Sequence, residues 1–148
     1  MSREIKFKAK SLDTNEWVYG SGVIFCDDCC FIDKNDECYI QRPYSFRGNT
    51  HFIELACIQC NKETISQFTG LKDKNGNEIY EGDIVRTPYL DPMFGDIVND
   101  VFENAIVEFN NGSFIVKYSD KNIYLFDLLN YIEIIGNVYD NSELLKDF

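Results

Sequence analysis

Basic residues and histidine are scarce in this chain of 148 residues. It holds 14 lysines and arginines against 25 aspartates and glutamates, which gives a formal net charge of −11, and a single histidine. Proteins that bind a phosphate backbone or an anionic membrane need clustered lysine and arginine. We therefore expect no direct binding to nucleic acid and no docking on a membrane. Lys6, Lys8 and Lys10 alternate along the chain and are expected to form a solvated strand face.

Long apolar segments are missing as well. No run of about 18 apolar residues exists, so the sequence predicts no membrane-spanning helix. The first residues are charged and lack the apolar region of a secretory signal peptide. We therefore expect a cytoplasmic protein, in which the six cysteines are thiols or metal ligands rather than disulfides.

The residue types that usually perform catalysis are few and poorly grouped. His51 would have to serve any histidine-dependent triad, and its loop-like surroundings favour an ordinary surface side chain. Asp73, Glu81 and Asp83 could act as paired carboxylates, but hydrogen bonds from turn N–H groups explain the two aspartates more simply. No glycine-rich phosphate loop lies between a predicted strand and a helix. We predict that the protein is not an enzyme and needs no cofactor.

Two Cys-x-x-Cys pairs are the strongest metal-binding pattern in the sequence. Zinc prefers four soft ligands in a tetrahedron, which two such pairs can supply. The ligands of such a site would be Cys26, Cys29, Cys57 and Cys60. The gap between the pairs is long for a zinc ribbon, and the surplus Cys30 and Cys38 suggest that cysteine serves here as a small apolar residue. We expect no bound metal, with a zinc-binding structural module as the alternative.

Short β-strands dominate the predicted secondary structure. Apolar and polar residues alternate over residues 5–10, and two β-rich runs flank Asn110-Asn111-Gly112, which predicts a hairpin. Turn signals recur about every 8–12 residues, which is typical of a barrel or sandwich. We predict a mainly β fold: an N-terminal β-meander followed by a small SH3-like β-barrel, with at most short helices. The chain is expected to form one domain, 1–148, with lobes 1–65 and 66–148.

Residues 67–85 contain three closely spaced turn signals. They are Thr69-Gly70, Asn75-Gly76 and Gly82-Asp83. Asn-Gly suits a two-residue hairpin turn in which both residues have positive φ, and we expect that geometry at Asn75-Gly76. The segment holds neither a nucleophile nor a phosphate loop, so it carries information about folding rather than chemistry.

This segment resembles the signature of the YopX family of phage and prophage proteins. The matching positions are Thr69, Gly70, Leu71, Asp73, Asn75, Gly76, Ile79, Glu81, Gly82 and Asp83. Residues 3–7 and 16–20 are similar to the family's opening hairpin, and residues 135–141 and 143–145 to its closing segment. The resemblance implies a phage or prophage context and a YopX-like domain, and it implies no particular activity.

Residues 88–104 are expected to form a long loop after a strand that ends at Pro88. Loops of this length inside a compact domain are usually functional or disordered. Aromatic and methionine side chains stand among its acidic residues, and they are Tyr89, Met93, Phe94 and Phe102. Because aromatic residues and methionine are enriched at interfaces, we predict that this loop contacts a protein partner, and self-association is a further expectation.

The sequence therefore favours a non-enzymatic accessory protein that acts through protein–protein contacts. A second hypothesis is an acidic decoy that mimics DNA and inhibits a nucleic-acid enzyme, because 25 of the residues are carboxylates. The layout of charge separates the two hypotheses. A decoy needs carboxylates at phosphate-like spacing over one surface, whereas an ordinary accessory protein scatters them.

Overall fold

The computed structural model describes residues 4–33, 40–55 and 57–146, and Cys38 and the side chain of His51 lie outside this part. The described helices are 3₁₀ helices of three or four residues, so the prediction of a mainly β fold with only short helices is confirmed. None of these helices is long and apolar enough to cross a membrane. The strands are β1 (Phe7–Lys10), β2 (Trp17–Gly20), β3 (Gly22–Phe25), β4 (Cys30–Asp33), β5 (Ile40–Phe46), β6 (Asn49–Leu55), β7 (Cys57–Cys60), β8 (Ser66–Lys72), β9 (Glu78–Tyr80), β10 (Asp83–Leu90), β11 (Ile97–Asn110), β12 (Ser113–Lys117), β13 (Asn122–Tyr124) and β14 (Glu133–Asn137). The 3₁₀ helices are Lys62–Thr64, Leu125–Leu128 and Ser142–Leu145.

The chain divides into two compact units, residues 1–67 and 68–148. In the first unit, β1 pairs with β2 and with the start of β8, β4 lies between β3 and β7, and β5 pairs with β6. The turn between β1 and β2 forms because the Ser11 hydroxyl accepts the N–H of Asp13 and Asn15 adopts a positive φ of 57°. Buried side chains on β1, β2, β4 and β7 form the core of this unit.

The alternation predicted that the lysines of β1 lie on a solvated face. For Lys8 this prediction is wrong. Lys8 is only 7% exposed, and its Nζ lies 4.5 Å from the centre of the Trp17 ring, while Nζ of Lys10 lies 5.5 Å from the same ring. The low exposure of Lys8 is tolerated because its cation is attracted to the face of the indole ring. Trp17 thus lies beside the cations of two lysines on the adjacent strand.

The second unit is built on a curled half-barrel sheet with strand order β13-β12-β11-β10-β14, and all of its neighbouring strands are antiparallel. Inward-facing residues of β10, β11 and β12 pack against the 3₁₀ helix at residues 125–128. The fully buried members of this core include Ile79, Val85, Val107, Val116, Leu125 and Ile132. Each such side chain contributes about 1.5–3 kcal/mol when it is removed from water, so this cluster stabilises the second unit.

Two Asn-Gly dipeptides form different turns. At Asn111-Gly112, which joins β11 and β12, φ is 50° and 82°, so the predicted hairpin is confirmed and its turn has the two positive φ values of type I′. At Asn75-Gly76 only Gly76 has a positive φ, 84°, and the prediction for Asn75 is wrong. The reason is that the N–H of Gly76 bonds the carbonyl of Asp73 at 3.0 Å, which makes a longer turn with one left-handed residue.

Candidate interaction site: the β10–β11 arm

Strands β10 and β11 extend beyond their neighbours as a two-stranded ribbon. They pair from Ile84↔Ile106 to Leu90↔Ile97. Among the described strands, β14 covers β10 only as far as Arg86, and β12 covers β11 only from Ile106 onward. We call residues 87–105 the arm. The predicted loop at 88–104 is therefore wrong, since most of it is paired strand.

Pro88 does not end β10, contrary to the sequence prediction. It pairs with Phe102, and the register then shifts so that Tyr89 pairs with Val98. Proline is tolerated at a bulge because the ladder is already interrupted there. Asp100, in the extra segment of β11, takes a positive φ of 67°. The bulge lets the strand continue past a residue that usually stops one.

The base of the arm is held to the sheet by a buried polar contact. The Tyr118 hydroxyl donates a hydrogen bond to Oγ1 of Thr87 at 2.8 Å. Burial raises the pKa of the Tyr118 phenol above its ordinary value, the hydrogen bond with Thr87 opposes this rise, and the charge of Glu103 adds to it. Nζ of Lys121 lies 4.8 Å from the Tyr118 ring, 5.3 Å from the Tyr89 ring and 3.6 Å from Oε2 of Glu103.

Tyr89 and Phe102 are therefore engaged within the chain. The guanidinium of Arg86 lies 4.3 Å from the centre of the Phe102 ring. Lys121 makes a similar cation–ring contact with Tyr89. Such contacts contribute about 0.5–2 kcal/mol, depending on how far the cation is desolvated. These two aromatic residues stabilise the arm, although Phe102 remains 48% exposed.

The tip of the arm presents its two largest apolar side chains to solvent. Met93 is 84% exposed and Phe94 75% exposed. Oδ1 of Asp91 accepts the N–H of Met93 at 2.7 Å and of Phe94 at 3.3 Å, and the N–H of Gly95 bonds the carbonyl of Asp91 at 2.7 Å. An aspartate that bonds the backbone two residues on fixes a turn, so the tip has a defined conformation.

The charge of residues 88–104 is entirely negative. The segment contains Asp91, Asp96, Asp100 and Glu103 and has no lysine or arginine. Asp91 accepts hydrogen bonds from the tip and Glu103 pairs with Lys121, and Asp96 and Asp100 are two further exposed carboxylates of the arm. The arm thus combines exposed apolar side chains with an acidic surround.

The signature carboxylates are structural, as the turn interpretation predicted. Oδ1 of Asp73 accepts the N–H of Asn75 and Asn77 at 2.9 Å each, and Oδ2 accepts the N–H of Ile134 at 3.1 Å. Burial alone would raise the pKa of Asp73, but these hydrogen bonds outweigh it and hold the pKa below the ordinary value. Oδ2 of Asp83 accepts the N–H of Tyr80 at 2.8 Å. These bonds order the β8–β9 turn against β14.

Comparison with known proteins identifies the fold family. The family model described as YopX protein matches residues 6–146. This chain belongs to the YopX family. The crystal structure of protein EF1440 from Enterococcus faecalis is similar to it, with a TM-score of 0.58 and 24% identity over 98% of this chain and 100% of that chain. Identity at that level supports the shared fold alone, and no curated protein matches the chain.

The cysteines of this YopX-family chain fall into two separate clusters. Cys30 and Cys60 are directly opposite on β4 and β7 and are buried with Ala9, Val18 and Ile32, whereas Cys26, Cys29 and Cys57 contact Phe31. Successive residues of a strand point to opposite faces, so Cys60 is separated from the other predicted zinc ligands. Among the His, Cys, Asp and Glu side chains that the structure describes, no group of three or more could hold a metal ion.

The buried thiols have little thiolate character at neutral pH. Burial, and then the charge of Cys30, raises the pKa of Cys60 to about 11. Burial, followed by the charge of Cys29, also raises the pKa of Cys30. Because the thiolate is the form that attacks electrophiles and binds metals, these two residues behave as small apolar side chains.

A second exposed aromatic set was missed by sequence reasoning. It consists of Phe109, Tyr124 and Phe126, which are 53%, 62% and 73% exposed. The available signal was the three-residue spacing of Leu125 and Leu128, both buried, which places Phe126 outside.

Proposed function

We propose that this YopX-family protein is a non-enzymatic, phage-type accessory protein of the cytoplasm that binds another protein through the tip of the arm. The observation that carries the proposal is the exposure of Met93 and Phe94, 84% and 75%, on a turn ordered by Asp91. Methionine and aromatic residues are enriched in protein interfaces. We therefore propose two binding residues, Met93 and Phe94, out of the four that the sequence predicted.

An ordered apolar tip is well suited to binding. A ribbon of two strands is only marginally stable alone in water, and this one is held at its base by Thr87, Tyr118 and Lys121. A turn that already has its bound conformation loses less entropy on association. Two adjacent large side chains on such a turn can act as the anchor of an interface.

The chemistry of the arm points to a basic partner. Residues 88–104 carry four carboxylates and no cation. Acidic residues around an apolar centre steer a basic surface toward it and set the salt dependence of association. The same charge opposes nucleic acid, in agreement with the expectation from composition.

The buried thiols and the signature carboxylates support a non-enzymatic role. Burial, more than any other effect, raises the pKa of Cys60 to about 11, which suppresses its nucleophilic form. Asp73 and Asp83 are committed to backbone N–H groups. These groups stabilise the fold and leave no reactive pair among them.

The acidic decoy is less well supported by the layout of charge. Several carboxylates form hydrogen bonds or ion pairs within the chain rather than a row of charges that mimics phosphates. Carboxylates bonded to the backbone or to a lysine include Glu4, Asp73, Asp83, Asp91, Glu103, Glu108 and Glu133. This distribution favours the accessory role.

The experiment compares three immobilised baits: the full chain, the double variant Met93→Ser/Phe94→Ser and the control Phe25→Ser. Phe25 is 64% exposed and lies on β3, so the control removes an exposed aromatic side chain away from the arm. A protein captured from bacterial lysate is identified by mass spectrometry, purified and titrated. We expect the tip variant to weaken its binding at least about tenfold, and the control to leave it unchanged.

The salt dependence of that titration is a second readout. Raising the salt from about 0.05 M to about 0.3 M should weaken the complex, because it screens the acidic arm. Unchanged binding by the tip variant would contradict the proposal. So would a purified partner whose affinity does not depend on salt.

A further inference from the structure

We infer that Cys26 and Cys29, which face each other across the turn between β3 and β4, form a site of reversible oxidation at which hydrogen peroxide produces a disulfide bond. The two residues belong to the first unit and the arm to the second, so this site does not depend on the proposed function. The supporting features are the register of the hairpin, the contacts of the sulfur atoms and the contrast with the buried pair Cys30 and Cys60.

The β3–β4 hairpin places Cys26 and Cys29 directly opposite each other. The last pair of the two strands is Phe25↔Cys30, and the next pair in the same register is Cys26 with Cys29. The N–H of Cys26 donates a hydrogen bond to the carbonyl of Cys29 at 2.8 Å, so the ladder continues to this position. Opposite residues of antiparallel strands have Cα atoms about 4.5–5.5 Å apart, and disulfide bonds join Cα atoms about 4.4–6.8 Å apart. The backbone therefore already has the spacing that the bond requires.

Both side chains lie on the same face of the hairpin. Opposite residues of a strand pair point to one side of the sheet, and Cys26 packs against the cluster that Cys29 forms with Phe31 and Cys57. Cys29 is 6% exposed, whereas Cys26 is partly exposed. The two residues of the turn between them are exposed. A small oxidant can thus reach Cys26 from solvent, and Cys29 lies beside it as the second thiol.

The hydrogen bonds of the sulfur atoms distinguish this pair from the buried one. Nε2 of Gln59 donates a hydrogen bond to Sγ of Cys29 at 3.2 Å. A donor directed at sulfur stabilises the negative charge of the thiolate, which is the attacking form. In the buried pair the direction is reversed, since the S–H of Cys30 donates to the carbonyl of Cys60 at 3.8 Å. The S–H of Cys60 likewise donates to the carbonyl of Ile58 at 3.4 Å. These contacts favour the protonated thiol.

Burial separates the two pairs further. Cys30 and Cys60 are also directly opposite each other, on β4 and β7, so spacing alone would allow a bond between them. Both are 0% exposed, and burial, followed by the charge of Cys30, raises the pKa of Cys60 to about 11. Oxidation of cysteine follows thiolate character and exposure. The oxidant therefore selects Cys26 and Cys29, and the buried pair stays reduced.

The reaction consumes one molecule of peroxide for each disulfide bond. The sulfur of Cys26 attacks one oxygen of hydrogen peroxide, the O–O bond breaks, and water leaves a sulfenic acid behind. The sulfur of Cys29 then attacks the sulfur of Cys26, the S–O bond breaks, and a second water leaves with the remaining thiol proton. Two thiols lose two electrons, and the peroxide gains them. Glutathione reverses the bond by thiol–disulfide exchange and is itself oxidised to its disulfide, so the bond is transient in a reducing compartment.

The test is the addition of hydrogen peroxide to the purified, reduced full chain, followed by differential alkylation. Remaining thiols are blocked with iodoacetamide in denaturant, disulfides are then reduced and labelled with N-ethylmaleimide, and the labelled peptides are identified by mass spectrometry. We expect the second label on Cys26 and Cys29 and the first label on Cys30 and Cys60. The mass of the intact chain should fall by about 2 Da, for the two hydrogens lost, and glutathione should restore it.

Three variants assign the role of each sulfur, and thermal melts confirm that each is folded. Cys57→Ser is the matched control, because Cys57 is 3% exposed in the same cluster, and it should form the bond at the parent's rate. Cys29→Ser should leave Cys26 as a sulfenic acid that dimedone traps. Cys26→Ser should slow the oxidation of Cys29 at least about tenfold, because the exposed thiol is gone.

Three results would overturn the inference. The first is a chain that keeps all its thiols under peroxide that oxidises free glutathione. The second is the N-ethylmaleimide label on Cys30 and Cys60 instead of the predicted pair. The third is a bond that Cys57→Ser abolishes, since Cys57 would then be the partner.

Discussion

The signature turn and the tip of the arm use the same local device for opposite purposes. In each, an aspartate oxygen accepts the N–H of the residue two positions on: Asp73 from Asn75 at 2.9 Å, and Asp91 from Met93 at 2.7 Å. Asp73 is buried and also accepts the N–H of Ile134, sixty-one positions away. The side chain of Asp91 accepts hydrogen bonds from Met93 and Phe94, which belong to its own turn. One turn is bonded to strand β14 of another sheet, and the other displays side chains to solvent.

The difference shows that a turn motif alone does not reveal its role. The sequence around both aspartates predicts a turn, because aspartate readily bonds nearby backbone N–H groups. What separates them is the long-range bond to β14 and the burial that accompanies it. A hydrogen bond buried from water costs more to lose than one that water can replace.

The largest expected effect is that of Asp73→Ala. This change leaves three backbone N–H groups without their acceptor, and we expect a loss of about 3 kcal/mol in the free energy of unfolding. Asp91→Ala should cost less than about 1 kcal/mol, because water can reach the tip. Urea unfolding of both variants measures the contrast. Equal losses would show that the two turns are energetically alike.

The second comparison tests the signature turn at single positions. Gly76 has a φ of 84° and open space around the site of a Cβ, so Gly76→Val should cost about 1–3 kcal/mol through backbone strain alone. Asn75→Ala should cost less than about 0.5 kcal/mol, because Asn75 needs no positive φ. Thermal melts measure both. A large loss of stability in Asn75→Ala would contradict this, because it would indicate the two-residue turn that the structure excludes.

The smallest expected effect concerns Glu81. Burial, and then the charge of Glu108, raises the pKa of Glu81 above its ordinary value of 4.5. The stability that this group contributes is therefore present below the unfolded pKa and is lost as pH rises through the folded pKa. Glu81→Gln should raise the free energy of unfolding at pH 7 by on the order of 0.5 kcal/mol, with no effect near pH 4.

The control for that prediction is Glu143→Gln, which removes a carboxylate from an exposed position. It should leave the stability unchanged at both pH values. Urea unfolding at pH 4 and pH 7 gives the comparison. A stabilisation by Glu81→Gln that is the same at both pH values would show that shape rather than charge is responsible.

The local features of the fold were largely predictable from the sequence. Short strands, the hairpin at Asn111-Gly112 and the structural role of Asp73 follow from alternation and turn chemistry, which act over a few residues. The path of the chain after Pro88 could not be predicted in this way, because it depends on pairing with β11 and on a bulge that only the partner strand defines. The same limit applies to Lys8, whose environment is set by Trp17 on the next strand.

The interaction residues predicted from the sequence differ from one another in their surroundings in the structure. All four predicted residues lie in the arm, yet Tyr89 and Phe102 face cations of the same chain, whereas Met93 and Phe94 are exposed at the tip. Composition indicates that a segment is rich in aromatics. It does not indicate which of them are covered.

The pairing of β10 with β14 joins Asp83 to Asn137, whereas β10, β11 and β12 each pair with the next strand along the chain. Closing a long loop costs entropy before any contact forms, so we expect the consecutive hairpins to assemble first and β14 to dock late. Contacts that form after the rate-limiting barrier affect mainly the unfolding rate. The bond from Ile134 to Asp73 would then set how long the folded state lasts, with little influence on how fast it is reached.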